Sequence, residues 1–333
     1  MPSRNLITDV QGVRVGHADD HSLGSGVTAI VFDAPAVAAM DVRGGGPGTR
    51  EAALLDPAST VERIDAIALS GGSAFGLDAA SGVQAYLREQ GRGFAVRGAV
   101  VPIVPGAILF DLLAGGAKDW GRYPPYRELG YAAALGASAN CALGSVGAGL
   151  GATTVNFKGG VGSASTRTRD GLAVGALAAV NAVGSAVVGD GPWFWAAPFE
   201  QDAEYGGHGL PARPPPQALD FRIKGGAAAS TTLAVIATDA TLSKSQARRL
   251  AIMGHTGLAR AIYPVHTPLD GDVVFAAATG ARALDDPLHG LSELGTLAAN
   301  VLARAIARAV YEATALPFPG ALPSWRDRFG SSA

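Results

Sequence analysis

The chain has 333 residues with a formal net charge of −2, 48% hydrophobic and 16% charged residues and one cysteine, Cys141. That balance offers no bulk attraction to nucleic acid or anionic lipid, and a lone cysteine excludes an internal disulfide. No stretch reaches the ~18 apolar residues of a spanning helix and the N-terminus lacks an apolar signal core, so the expectation is a cytoplasmic protein without membrane or nucleic-acid partners.

In chain order, residues 13–17 and 27–32 predict early strands around a turn at 24–26, and 36–42 another short strand ended by Gly44-Gly45-Gly46. Residues 64–69 predict a buried strand leading into Ser70-Gly71-Gly72-Ser73. A helix follows over 73–90, with Phe75, Ala79, Val83, Tyr86 and Leu87 on one face, and Gly91 stops it. Residues 144–162 are glycine-dense and lack helical periodicity. Residues 172–188 read as two strands joined near 181–184, and 203–217, with three consecutive prolines, as an exposed loop. A β-rich run over 232–238 precedes a helix to about residue 262, opened by the capping box of Ser243 and Gln246. Residues 273–277 predict a strand, 292–313 a long final helix, and 320–333 a loose tail. Strands and helices alternate irregularly, which fits a layered α/β fold rather than a regular doubly wound one.

The sharpest local feature is Ser230-Thr231-Thr232-Leu233, where a small-residue stretch from Gly225 to Ala229 meets a strand. A threonine there can attack the carbonyl before it, and cleavage would leave it with an α-amine of pKa about 7.7–8.0, a usable base. From residue types alone, a plain turn before a strand is the commoner reading. Asp270-Gly271-Asp272 reads either as a surface turn or as a carboxylate pair that orients an amine; it lacks the ligand spacing of a calcium loop. Gly147 to Ala152 matches G-x-G-x-x-A, but without a strand before it or an amphipathic helix after it the match to a nucleotide site is weak. The six histidines show no paired metal spacing. Asn181, in an apolar run, is either a structural hydrogen-bonder or an oxyanion donor. Lys158 is by default solvated; burial would lower its pKa toward that of a base.

Together these fragments resemble, over nearly the whole chain, the L-aminopeptidase/D-esterase family, which includes the β-aminopeptidases and the nylon-oligomer hydrolases. The resemblance is carried by Ile7-Thr8-Asp9-Val10, Val42-Arg43-Gly44-Gly45, Leu69 to Asp78, Gly147-Ala148-Gly149, Phe157-Lys158-Gly159-Gly160, Val180-Asn181, Ser230-Thr231-Thr232-Leu233, Pro264-Val265-His266-Thr267 and Asp270-Gly271-Asp272. It implies a four-layer α-β-β-α sandwich like that of N-terminal-nucleophile hydrolases. It also implies a single self-processing domain over 1–333, divided into an α chain 1–230 and a β chain 231–333. Carried over by position, it makes Thr231 the nucleophile, Asn181 the donor to the substrate carbonyl, Asp270 and Asp272 the acidic pair of the nylon-oligomer branch, and Lys158 the catalytic lysine. Ser73, Phe75 and the Ile108-Leu109-Phe110 region are expected to line the substrate pocket. It implies no metal or organic cofactor, a small peptide, amide or ester substrate, and a homotetramer or larger assembly. The ornithine acetyltransferases are similar in layout, which keeps an acyltransferase as the alternative activity and an unprocessed, non-catalytic homologue as another.

Overall fold

The computed structural model describes residues 3–225 and 230–330. The small-residue run at 226–229 lies outside the described residues. In chain order the elements are β1 (Val13–Asp20), β2 (Ser25–Val42), β3 (Gly48–Arg50), β4 (Arg63–Ser70), α1 (Ala79–Glu89), the hairpin β5 (Phe94–Val96) and β6 (Ala99–Val101), β7 (Gly106–Ile108), α2 (Tyr126–Leu135), β8 (Val161–Arg167), β9 (Ala173–Asn181), β10 (Thr231–Ala240), α3 (Lys244–Ala261), β11 (Val273–Arg282), α4 (Pro287–Tyr311) and α5 (Trp325–Phe329). Nine strands are hydrogen-bonded in the order β3-β7-β4-β2-β11-β10-β9-β8, with β1 added beside β2.

The two strands expected over 27–32 and 36–42 are one continuous strand, β2, with a break in its register between Val31 and Ala36. Pro35 cannot donate to the ladder, and residues 33–35 are exposed where the strand bends. That bend turns one sheet into two layers. Before it, Val27, Ala29 and Val31 pack with Ala66 and Ala68 of β4 against α1 and α2. After it, Val37 and Ala39 join the core under α3 and α4. Ile30, Phe32, Ala36 and Ala38 face a third core between the layers. The same alternation splits β10: Ala234 and Ile236 face the helices, while Leu233, Val235 and Ala237 face the middle core. Three apolar cores separated by strands that are buried on both faces make the four-layer α-β-β-α sandwich.

The expected capping box at Ser243 and Gln246 is present, with the Ser243 side chain accepting from Gln246 N–H. Four further expectations change. The helix expected over 73–90 opens as a 3₁₀ turn, Ser73–Asp78, and is α-helical only from Ala79. Residues 172–188 hold one strand, β9, which ends at Asn181; its antiparallel neighbour is β8, upstream, rather than a strand formed by 184–188. The final helix begins earlier, with Asp286 as its cap. The tail is anchored as far as it is described: Trp325 is 3% exposed and stacks on Phe194. Among the described residues no helix is long and apolar enough to cross a membrane.

Candidate active site

Thr231 is the first residue of β10, the strand between β9 and β11. In the antiparallel β9–β10 ladder its cross-strand partner is Asn181, the last residue of β9. On the other side, β10 runs parallel to β11 and Ser230 bridges to Asp270 in the loop that enters β11. Strand order therefore brings Thr231, Asn181 and the Asp270-Gly271-Asp272 segment together at one end of the interior strands β9, β10 and β11.

The loop at 269–272 grips the chain around the Ser230–Thr231 peptide bond. Ser230 N–H donates to Leu269 O (3.0 Å), and Gly271 N–H donates to Ser230 O (2.7 Å). Thr232 N–H donates to Asp272 Oδ1 (2.8 Å). Thr231 Oγ1 donates to the carbonyl directly upstream, Ser230 O, at 2.6 Å. That carbonyl thus accepts from a backbone amide and lies against the hydroxyl of the next residue, in a position with 1–3% exposure for both residues. A hydroxyl beside a carbonyl that a fixed N–H already polarises is an arrangement from which an acyl shift can start.

The two carboxylates tie down backbone amides, and each also meets one side chain. Asp270 Oδ1 accepts from Val183 N–H (3.2 Å), just after β9, and Oδ2 accepts from Thr267 N–H and Oγ1 (both 3.0 Å). Burial, reinforced by the charge of Asp272, raises the Asp270 pKa. Asp272 Oδ2 accepts from His266 N–H (3.1 Å) and pairs with His266 Nδ1 (2.8 Å). Behind this loop the backbone of Arg43 and Gly44 donates to Asp272 O, and Gly46 to Asp270 O. A Cβ on Gly44 would sit 2.3 Å from Asp272 N, so the Arg43-Gly44-Gly45 motif serves close backbone approach.

Asn181 is held by a donor–acceptor set that fixes its amide. Its Oδ1 accepts from Thr153 N–H (3.0 Å) and from Lys224 Nζ (3.0 Å). Its Nδ2 donates to Phe110 O (2.9 Å), leaving one further hydrogen. Phe110, Thr153 and Lys224 also line a cavity of about 280 Å³, together with Asp111 and Lys158 and a wall from residues 319–322. Asn181 therefore stands between this cavity and Thr231.

Lys158 lines the cavity, and its hydrogen bonds go to carbonyls rather than to Thr231. It is 1% exposed, and its ammonium donates to Gly149 O (2.9 Å), Ala152 O (2.8 Å) and Gly159 O (2.7 Å). All three hydrogens have a carbonyl, the same arrangement with which Lys244 ties down Leu54, Ser59 and Val61. Burial pulls its pKa down to about 7, Asp111 opposing. The placement is that of a loop tie, because the glycine-rich turn 147–152 curls around the amine; the G-x-G-x-x-A pattern is this collar. Lys158→Met removes three hydrogen bonds but leaves only Gly159 O without a donor, since Gly149 O still accepts from Ala152 N–H and Ala152 O from Gly159 N–H; at about 1–3 kcal/mol for the orphaned acceptor, it is expected to lower the unfolding free energy by about that much, read as a fall in the urea midpoint.

Ser73 and Phe75 are not brought to this cavity. Ser73 N–H is spent on Leu109 O. Phe75 is 51% exposed, packs edge-to-face on Trp120 and lines a separate open depression with Arg50 and Asp78. The Ser70-Gly71-Gly72 motif instead holds Asp111, which the sequence does not single out. Gly72 N–H donates to Asp111 Oδ1 (2.7 Å) and Ser25 Oγ to Oδ2 (2.6 Å). A Cβ on Gly71 would lie 2.2 Å from Asp111 Oδ2. Burial raises the Asp111 pKa, with Lys118 the main opposing charge. The only local signal for Asp111 is an acidic residue closing the apolar run Ile108-Leu109-Phe110. Lys224 is equally inconspicuous; it sits in a polar, proline-rich region whose composition resembles a plain loop.

A layered α-β-β-α sandwich with a buried hydroxyl, an amide and a carboxylate pair gathered at one end of its interior strands belongs among the hydrolytic enzymes. Residues 5–321 match peptidase family S58, and the chain belongs to that family. A protein of Mycobacterium tuberculosis named as an uncharacterized aminopeptidase is 44% identical, with 98% of each chain covered. The 6-aminohexanoate-oligomer endohydrolase of Paenarthrobacter ureafaciens is 29% identical over 89% of this chain and 80% of its own. Among solved structures, a Burkholderia β-aminopeptidase superposes with a TM-score of 0.70, 24% identity and coverage of 98% and 92%. An Ochrobactrum anthropi L-aminopeptidase D-Ala-esterase/amidase, described as a variant of the Ntn hydrolase fold, gives 0.68, 19% identity and coverage of 99% and 95%.

Proposed function

We propose that this chain cleaves its own Ser230–Thr231 bond and then hydrolyses amide bonds with Thr231 as nucleophile. The observation that carries the reading is the Ser230 carbonyl, hydrogen-bonded by Thr231 Oγ1 at 2.6 Å and by Gly271 N–H at 2.7 Å. In the first stage Thr231 Oγ adds to the Ser230 carbonyl carbon. The oxygen that gains the negative charge is the one Gly271 N–H already faces. The C–N bond then breaks, the hydroxyl proton passes to the departing nitrogen, and an ester joins Ser230 to Thr231 Oγ. Water opens that ester, leaving a carboxylate on Ser230 and a free amine and hydroxyl on Thr231.

In the second stage the Thr231 amine, a group whose free form titrates near 7.7–8.0, takes the hydroxyl proton as Oγ attacks a substrate carbonyl. The remaining Nδ2 hydrogen of Asn181 and the freed Gly271 N–H stabilise the new oxyanion, donors worth about 3–4 kcal/mol each. The acyl-enzyme forms as the substrate amine leaves with the proton, and water releases the acid. Asp272, which holds Thr232 N–H, and Asp270, which ties the loop to Val183, keep β10 in register for both stages. The adjoining cavity presents the buried Asp111 carboxylate, a partner for a free amino group on the acyl side, which favours short peptides or amino-acid amides and ω-amino oligomers.

The test is the intact mass of the purified protein. Two pieces, 1–230 and 231–333, the second with N-terminal threonine, are expected. A single unbroken polypeptide that turns over amide substrate would overturn the reading.

A further inference from the structure

Asn181 can serve a carbonyl brought to Thr231 only while its amide stays in one of its two orientations. Flipping it would set NH2 against Thr153 N–H and the Lys224 ammonium, and oxygen against Phe110 O. Of the groups that enforce the choice, Thr153 N–H and Phe110 O are backbone. Among the described residues, Lys224 supplies the one side chain. Its Nζ lies 3.0 Å from Asn181 Oδ1 and 3.4 Å from Asn181 O, and its own backbone N–H is pinned to Val183 O (3.0 Å).

We propose that Lys224 is a positioning residue for Asn181: its ammonium locks the amide with Nδ2 toward the start of β10, and its charge strengthens that N–H as a donor to the developing oxyanion. This deepens the function proposed above and rests on Thr231 being the nucleophile. A consequence is structural. Lys224 lies upstream of Ser230, so the piece ending at Ser230 supplies a side chain that orients the oxyanion donor of a nucleophile on the other piece. Asp270 favours the Lys224 ammonium; the same cavity also holds Lys158, whose own ammonium the charge of Lys224 disfavours, and the Asp111 carboxylate. Burial draws the Lys224 pKa down to about 7, so the lock is made at and below neutrality and weakens above it.

The experiment is a double-mutant cycle with Lys224→Met, Asn181→Ala and the pair, measured on the self-cleaved proteins with an aminoacyl p-nitroanilide. Asn181→Ala is expected to lower kcat about 10²–10³-fold, as loss of one oxyanion donor does. Lys224→Met is expected to lower kcat about tenfold or more with KM within about twofold, and to add less than about twofold in the Asn181→Ala background. Lys224→Arg, which keeps its charge at any working pH, is expected to restore most of kcat and to lessen the loss of kcat on the alkaline side of the pH profile. Equal effects of Lys224→Met in both backgrounds, a change in KM alone, or wild-type kcat would each overturn the proposal. If Lys224→Met slows self-cleavage, the same cycle is read on the cleavage half-time by intact mass. An active Thr231→Ala protein would sink the underlying reading, whereas an inactive Thr231→Ala beside an unaffected Lys224→Met sinks only the role of Lys224.

Discussion

Thr231→Ala is expected to remain a single 333-residue polypeptide and to lose amidase activity by at least about 10⁴-fold, the scale seen when a nucleophile is removed. The substitution deletes one hydroxyl, whose hydrogen bond goes to Ser230 O. The clamp by Leu269 O, Gly271 N–H and Asp272 Oδ1 is made by neighbouring groups and survives, so the strand stays in place and only the chemistry goes. Thr231→Ser keeps the hydroxyl and is expected to be cut. Intact mass and turnover of an amide substrate check both variants; a cleaved, active Thr231→Ala protein would refute the assignment.

Gly271→Ala is the second large effect, and it tests geometry rather than chemistry. A Cβ at this position would sit 2.6 Å from Thr231 Oγ1 and 2.8 Å from Gly46 O. The backbone N–H that faces Ser230 O is retained by alanine, so any loss comes from displacement of the hydroxyl or of the loop. Misplacing reacting groups by about 1 Å costs on the order of 10²-fold, and self-cleavage is expected to slow by that much or more. Gly46→Ala is the matched control: its Cβ would meet Asp270 O at an ordinary 3.7 Å, and cleavage is expected to proceed normally. Time courses of precursor loss for the two variants compare them directly; wild-type cleavage in Gly271→Ala would show that the contact is not what seats the hydroxyl.

Together the two variants separate what Thr231 does from where it is held. The hydroxyl supplies the reaction, while the Asp270-Gly271-Asp272 loop supplies the position through backbone hydrogen bonds. The carboxylates of that loop contribute by tying Val183, Thr267 and Thr232, so their removal is expected to slow both stages by loosening β10.

Local chemistry makes several elements legible in the amino-acid sequence. Ser243 and Gln246 satisfy the first amides of α3 whatever packs on that helix, and the apolar run that follows Thr231 suits a strand buried on both faces. Fragments as specific as Ser230-Thr231-Thr232 and Asp270-Gly271-Asp272 carry the family, and with it the four layers. The misses share a different cause. Helix α2 is hidden in the sequence because Gly130 lowers local helix propensity; its value is close contact with α1, where a Cβ would lie 2.1 Å from Ala79 O. Residues 184–188 are apolar enough for a strand but pair only through isolated bridges at Ser185 and Val187.

What residue order determined here is whatever depends on neighbours along the chain: caps, strand alternation, and a hydroxyl placed next to the peptide bond it faces. What only the tertiary structure decided is which distant groups meet that bond. Lys158 and Lys224 look alike as sequence, yet one is wrapped by three carbonyls of its own loop and the other reaches Asn181. Asp111 becomes part of the site because Gly71 lets its carboxylate close on Ser25, and Phe75 falls outside because its ring packs on Trp120. The role of an ionisable side chain is set by its partners and its burial, and those come from strand order and bend, which bring together residues far apart in sequence.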